Sequence, residues 1–234
     1  MKTDASILAI VPARSGSKGI PDKNLAQVGG VSLIGLAGEC ISELSWIDEK
    51  IISTDSQDYA DEGLRYGLQC LGLRPANLSD DTANVLDVME FELLRAEETF
   101  DKEYAAVILI EPTSPLRTAG DIEFAVDRMF EEEAASVVTI SPASTKHHPR
   151  KSLCIESGVL RRYLDQSSVV SRQELDTTYL QNGFCYGIMR EALLEKRGIF
   201  LESTTFHLTD RPYANIDDPI DLMWASFLAE SEER

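Results

Sequence analysis

Short apolar runs at 6–11, 49–53, 105–110 and 136–140 alternate with segments of helical periodicity at 32–45, 56–66, 83–98 and 119–133. That alternation is the βαβ rhythm of a parallel sheet, and it predicts an α/β fold, a mostly parallel sheet flanked by helices. Asp55-Ser56 and Thr118 to Asp121 read as helix starts. Leu86, Met89, Leu93 and Leu94 lie at helical spacing, as a core-facing stripe requires. After Pro142 the pattern changes. Runs at 153–156 and 159–163 around Ser157-Gly158 read as a hairpin, and Gly183 to Ile188 as a strand returning to the sheet. At 234 residues and 43% hydrophobic content the chain can bury a full core. It is expected to form one domain, 1–234, with a small excursion at 141–182.

The loop after the first apolar run carries the strongest chemical signal. Val11-Pro12-Ala13-Arg14-Ser15-Gly16-Ser17-Lys18-Gly19-Ile20-Pro21-Asp22-Lys23-Asn24 places three cations, two glycines and two serines in one strand-to-helix connection. Such a loop begins at the carboxyl edge of a sheet, where open α/β folds bind ligands. Glycines let backbone N–H groups approach phosphate oxygens, Arg14 can fork onto two oxygens, and Lys18 and Lys23 add point charges. A helix is expected to begin near Val31 or Ser32, with Gly35 and Gly38 permitting close packing. Neither G-x-x-x-x-G-K-[ST] nor G-x-G-x-x-G is present, so neither a P-loop hydrolase nor a dinucleotide enzyme is implied.

The net charge of −18 argues against nonspecific binding to nucleic acid or an acidic membrane. Small molecules or other protein chains are the expected partners. The absence of an 18-residue apolar run and the early first strand lead us to expect a cytoplasmic protein. Cys40, Cys70, Cys154 and Cys185 are widely spaced, which predicts buried free thiols rather than a disulfide frame or zinc site. His147, His148 and His207 lack ligand spacing and read as surface or packed residues.

A second cationic island holds Lys146, Arg150, Lys151, Arg161, Arg162 and Arg172. It suits either an anionic ligand or a salt-bridged surface. Arg74 and the run Ser79 to Asn84 could receive a base or ribose on a helix starting near Thr82, with Arg74 bonded to a pyrimidine carbonyl; a capped helix preceded by Pro75 accounts for the same residues. Glu111-Pro112-Thr113-Ser114-Pro115-Leu116-Arg117 follows the strand at 105–110, again at the carboxyl edge. Asp218 and Asp221 beside Pro219 read as helix-start residues.

Taken in order, the loop from Val11 to Asn24 with Gly29-Gly30-Val31-Ser32-Leu33-Ile34, then Ile51 to Ser56, Arg74 to Thr82, Pro112 to Arg117, Arg172-Gln173-Glu174-Leu175, Asn182-Gly183 and Ile216-Asp217, resemble the acylneuraminate cytidylyltransferases. The resemblance runs from residue 6 to about 228. It implies a Rossmann-like fold and transfer of CMP from CTP to the anomeric hydroxyl of an acidic nine-carbon sugar, with magnesium and release of pyrophosphate. It also implies that the excursion pairs with a second subunit, making a homodimer, and helps to close that subunit's active site. Ala13, Arg14, Ser17, Lys18, Asn24, Arg74 and Asn84 fall at nucleotide-binding positions. Arg14, Lys18, Lys23 and Asp217 are the expected catalytic set. For the sugar, Arg172 and Gln173, Lys151 reaching from the partner subunit, Tyr186 and Phe200 match.

This sequence departs from the family pattern at three places. Glu111 stands where Gln is common, Leu180 replaces an arginine, and Asn215-Ile216-Asp217 replaces the Asp-x-Asp magnesium ligands. A spacing of two in an extended strand points both side chains to one face, as joint coordination requires. One reading is that Glu111 restores the charge lost at Asn215, so that magnesium sits between Glu111, Asp217 and the phosphates. In the other, Asn215 binds through its carbonyl or water and Glu111 reflects a different sugar or base. The departures leave open transfer of another nucleotide such as GMP, use of legionaminic, pseudaminic or deaminated neuraminic acid, or binding of a nucleotide sugar without turnover.

Overall fold

The structure is a computed structural model that describes residues 5–164, 175–196 and 198–232. β1 (Ile7–Pro12) is followed by a 3₁₀ turn over Lys23–Leu25 and by a ribbon of β2 (Gln27–Val28) and β3 (Val31–Ser32). Gly29 and Gly30 make that turn at φ of 60° and 82°, the left-handed pair that a two-residue hairpin demands. Then come α1 (Leu33–Ser42), β4 (Glu49–Ser53), α2 (Gln57–Arg65), α3 (Val85–Phe100), β5 (Ala106–Leu109), α4 (Ala119–Glu131) and β6 (Ser136–Pro142). β7 (Leu153–Glu156) and β8 (Val159–Arg162) form the hairpin, β9 (Tyr179–Met189) returns, and a π-helical turn (Ala192–Lys196), β10 (Thr204–Leu208) and α5 (Pro219–Glu232) complete the chain.

The main sheet has the order β10-β6-β9-β5-β1-β4. β4 and β5 run parallel to β1 and β10 parallel to β6, while β9 opposes both β5 and β6. Every strand but β9 therefore points one way. Ile7, Ala9 and Val11 pack with Ile34, Ala37 and Ile41 of α1 and Ile122 and Val126 of α4. Leu8 and Ile10, on the other face, pack with Met89, Leu93 and Ala96 of α3 and with Leu193. Cover on both faces is why the strands read as unbroken apolar runs. Gly35 and Gly38 let α1 close on Tyr66, where an added Cβ would lie 2.8 and 2.7 Å from its atoms.

The chain moves outward from β1 to β4 and then jumps across β1 to β5. This reversal opens a crevice at the carboxyl edge between the loops after β1 and β5, the place where open α/β sheets bind ligands. α5 packs Ala225 and Leu228 with Val28, Leu33, Phe184, Ala214 and Ile216, which delivers residues 214–218 to that crevice.

Four expectations change. Of the thiols only Cys185 is fully buried, and Cys40, Cys70 and Cys154 are partly exposed, though all four are free. The helix expected near Thr82 starts at Val85, because Asn84 is its N-cap and accepts from the Leu86 N–H. Asn215 to Asp217 are not in a strand. Their alternation comes instead from Ala214 and Ile216 being buried in the α5 cluster, with Asn215 and Asp217 turned outward. Phe200 lies before β10, and the Ile199 carbonyl accepts from Ser136 Oγ at the start of β6, so Phe200 belongs to the amino edge, across the sheet from the crevice.

Candidate active site

The loop after β1 is fixed before it can meet any ligand. Ala13 is buried and donates its N–H to the Ser53 carbonyl at 2.9 Å. Ser15 donates its N–H (2.7 Å) and Oγ–H (2.8 Å) to the two carboxylate oxygens of Asp55. Partial burial works to raise the Asp55 pKa, but these bonds and the Arg74 charge hold it below the usual range. Asn24 is buried and donates to the Arg14 carbonyl at 3.2 Å. Gly16 turns the loop at φ 70°, a conformation that suits glycine. Gly19 passes so close to the C-terminal segment that a Cβ would collide with the Asp217 carbonyl oxygen.

Lys23 joins the two segments. Its ammonium donates to the Ile216 carbonyl at 2.8 Å and to Asp217 Oδ1 at 3.1 Å. Ile216 in turn donates its N–H to the Thr113 carbonyl at 2.8 Å, so the segment at 216–217 lies between the loops after β1 and β5. Asp221 accepts from the Asp217 and Asp218 N–H groups, and Asp218 from Ile220 and Asp221. Both aspartates serve the start of α5, as the sequence indicated.

On the β5 side, Glu111 is pushed upward in pKa by burial; Arg117 and Lys23 oppose that rise and Asp217 adds to it. Arg117 is buried, donating through Nε to the Phe184 carbonyl at 3.1 Å and through Nη2 to the Glu111 carbonyl. It therefore fastens the β5 loop to β9. β9 bulges opposite β6 between Val138 and Ile140, and Gly183 in the bulge has φ 73°. A Cβ there would collide with Ser114 Oγ and come within 2.7 Å of Glu111 Oε2. Tyr186 is buried beside them and reaches Gln181 Oε1 at 3.4 Å; burial, then the Glu111 charge, raises its pKa.

A cavity of about 220 Å³ lies at the other end of the loop, lined by Pro12, Arg14, Arg74, Leu78, Asp80, Asp81 and Val85 among others. Arg74 is 6% exposed and donates through Nε to Ser79 Oγ at 3.2 Å. Burial lowers its pKa, and the charges of Asp55 and Glu92 oppose this. Glu92 is itself buried and accepts from Ser53 Oγ at 2.7 Å.

The structure thus gathers Ala13, Arg14, Ser17, Lys18, Lys23, Asn24, Arg74, Glu111, Tyr186 and Asp217 at one edge. Asn84 belongs to the same edge but spends its carbonyl oxygen on the α3 cap. Lys151 stands exposed in a 3₁₀ turn ahead of β7, and Arg172 and Gln173 lie outside the described residues. In the second island Arg161 pairs with Glu156 at 3.6 Å and Arg162 donates to the Arg150 carbonyl. Sequence reasoning missed Glu92, read Asp55 as a helix start rather than an anchor of the loop, and took Asp81 only as part of the run Ser79 to Asn84. Of these, only Asp55, after β4, stood at a carboxyl edge where its role might have been sought.

A sequence model of the family described as Cytidylyltransferase matches residues 8–185, which include the cationic loop, β5 and most of β1 and β9. The chain belongs to that family. This cytidylyltransferase is 31% identical to the CMP-N,N'-diacetyllegionaminic acid synthase of Legionella pneumophila over 94% of its own length and 93% of the relative's. It is 26% identical to an N-acylneuraminate cytidylyltransferase of Escherichia coli over 97% of its length and 53% of the relative's. A solved CMP:2-keto-3-deoxy-manno-octonic acid synthetase with CTP superposes over 97% of this chain and 100% of that one, with a TM-score of 0.70 at 15% identity, a likeness of fold. The enzyme is a nucleotidyltransferase with the α/β fold that the sequence predicted.

No three His, Cys, Asp or Glu side chains gather to hold a metal among the described residues. Glu111, whose pKa the Asp217 charge helps to raise, and Asp217 offer two carboxylates, a set suited to magnesium, which takes one or two carboxylates and completes its shell with phosphate and water. No helix among the described residues is long and apolar enough to cross a membrane.

Proposed function

We propose that this cytidylyltransferase transfers CMP from CTP to the anomeric hydroxyl of a sialic-acid-like nonulosonic acid, with release of pyrophosphate. The observation that carries the reading is a loop with three cations and a pair of carboxylates at one crevice, with Lys23 of the loop joined to Asp217. Relatives named as synthases of CMP-N,N'-diacetyllegionaminic acid, from Legionella pneumophila and Campylobacter jejuni, are 31% and 29% identical over nearly the whole chain, and they favour an acid of the legionaminic or sialic type.

In this reading the base enters the cavity floored by Arg74, and Arg14 and Lys18 hold the triphosphate. The sugar hydroxyl oxygen attacks the α-phosphorus in line as the bond to the β-phosphate breaks, and the hydroxyl proton passes to solvent. Arg14, Lys18 and Lys23 stabilise the charge that builds on the departing pyrophosphate. Glu111, Asp217 and the Asn215 carbonyl would hold magnesium, which when bound neutralises phosphate charge. Lys23 keeps Asp217 in place at 3.1 Å. The sugar carboxylate is assigned to Arg172 and Gln173, with Lys151 supplied by a second subunit of a homodimer; Tyr186 closes the pocket beside Glu111.

The test is pyrophosphate release with magnesium, crossing CTP, GTP, UTP and ATP against sialic, legionaminic, pseudaminic and deaminated neuraminic acids. Release with CTP and one acid supports the proposal and names the sugar. Release with GTP reassigns the base, and silence from folded protein that binds CTP indicates a noncatalytic binding protein.

A further inference from the structure

Asp81 occupies the seat that the phosphates need. Its Oδ1 lies 2.7 Å from Arg14 Nη2 and its Oδ2 2.5 Å from Lys18 Nζ. One carboxylate thus places two adjacent oxygens on two cations, as a phosphate group does. We propose that Asp81 is a positioning residue for the loop, an internal competitor that an incoming phosphate group must displace from Arg14 and Lys18. The inference rests on the reading of the loop as the triphosphate site.

The segment is built for such exchange. Ser79 is anchored by Arg74 Nε at 3.2 Å and by its own bond to the Pro75 carbonyl at 3.0 Å. Asn84 is anchored as the α3 cap. Between them Asp80 Oδ1 accepts from the Thr82 N–H and hydroxyl at 2.8 and 2.7 Å, a local turn that leaves Asp81 at its apex. The Asp81 and Lys18 side chains are 41% and 82% exposed, so solvent can replace either partner. Exposed ion pairs are weak singly and somewhat stronger in networks. A polyvalent anion outcompetes one carboxylate, whereas a singly charged anion such as chloride or acetate does not gain enough to do so.

Asp81 also helps to wall the cavity that Arg14 and Arg74 line. Its departure therefore frees the cations and widens the route to the base site together.

Isothermal titration with inorganic pyrophosphate, in EDTA and at low ionic strength, tests this on Asp81→Asn, Asp80→Asn and the wild type. Asp80→Asn removes a charge one residue away, and asparagine still accepts the Thr82 bonds. Asp81→Asn is expected to bind pyrophosphate about three- to tenfold tighter than the wild type, the range that an exposed ion-pair network supports. Asp80→Asn should change affinity less than twofold, and the Asp81→Asn gain should shrink at high salt. Equal tightening by both variants, or no tightening by Asp81→Asn, overturns the competitor role. Weaker binding by Asp81→Asn overturns it too, since Asp81 would then support the bound anion. Wild-type protein that binds neither pyrophosphate nor CTP overturns the triphosphate reading itself, and the inference with it.

Discussion

Lys23 holds a backbone carbonyl and a carboxylate from a segment nearly two hundred residues away in sequence, whereas Lys18 is largely exposed and pairs with Asp81. The two lysines therefore have different consequences when lost. Lys18→Ala removes charge without removing a structural bond. It is expected to lower kcat for pyrophosphate release on the order of 100-fold, the usual loss for one preorganised donor, while the thermal midpoint stays put. Near-normal turnover would detach the loop from catalysis. Glu111 tests the proposed magnesium site. If it replaces the charge missing at Asn215, Glu111→Gln should raise the magnesium concentration for half-maximal rate by roughly tenfold or more; an unchanged magnesium curve would assign Glu111 to the sugar or base. Arg14, Lys18 and Lys23 were legible because cations among glycines after a strand have few uses. Asp55 and Glu92 were not. Their roles depend on Ser15 and Ser53 lying opposite them, and those pairings follow from the β1 to β4 register and from α3 crossing the sheet.

At the scale of elements, the start of α4 ties three parts of the chain together. Thr118 and Asp121 form a reciprocal capping box, and Asp121 also pairs with Arg211 and faces His207 Nε2 at 3.7 Å. Burial raises the Asp121 pKa, but the approach of His207, the bonds from Thr118 and the Arg211 charge outweigh it and leave the group below its ordinary value. A depressed carboxylate stabilises the fold above its unfolded pKa and loses that contribution as pH falls through the folded one. Asp121→Asn should therefore cost about 1–2 kcal/mol near neutral pH. Denaturation curves taken as pH drops below the ordinary aspartate range should show the gap to wild type closing; a constant gap would mean packing rather than charge. The Thr118 to Asp121 signal was readable from spacing alone. β2, β3 and β10 escaped notice because strands of two residues and an edge strand with Phe206 and Leu208 about 43% exposed lack the unbroken apolar run that marked β1 and β5. Phe200 was misplaced since its neighbours along the chain do not reveal which edge of the sheet they face.

For the whole molecule, the hairpin of β7 and β8 packs little against the other described elements. Ile155 and Leu160 are register partners on one face, 74% and 64% exposed, which is a costly arrangement in a lone protomer. If this face meets a second copy, Ile155→Asp with Leu160→Asp should move the sedimenting species from dimer to monomer. It should also raise KM for the sugar acid several-fold more than KM for CTP. A dimer that survives both changes would place the interface elsewhere. The excursion leaves the sheet at Pro142 and rejoins it at Tyr179, and these two residues are neighbours across β6 and β9. Its two ends therefore meet at one point on the rim. The segment is an attachment whose length can change without rewiring the sheet, so a change of companion there would carry the sugar pocket with it and leave the nucleotide crevice as it is.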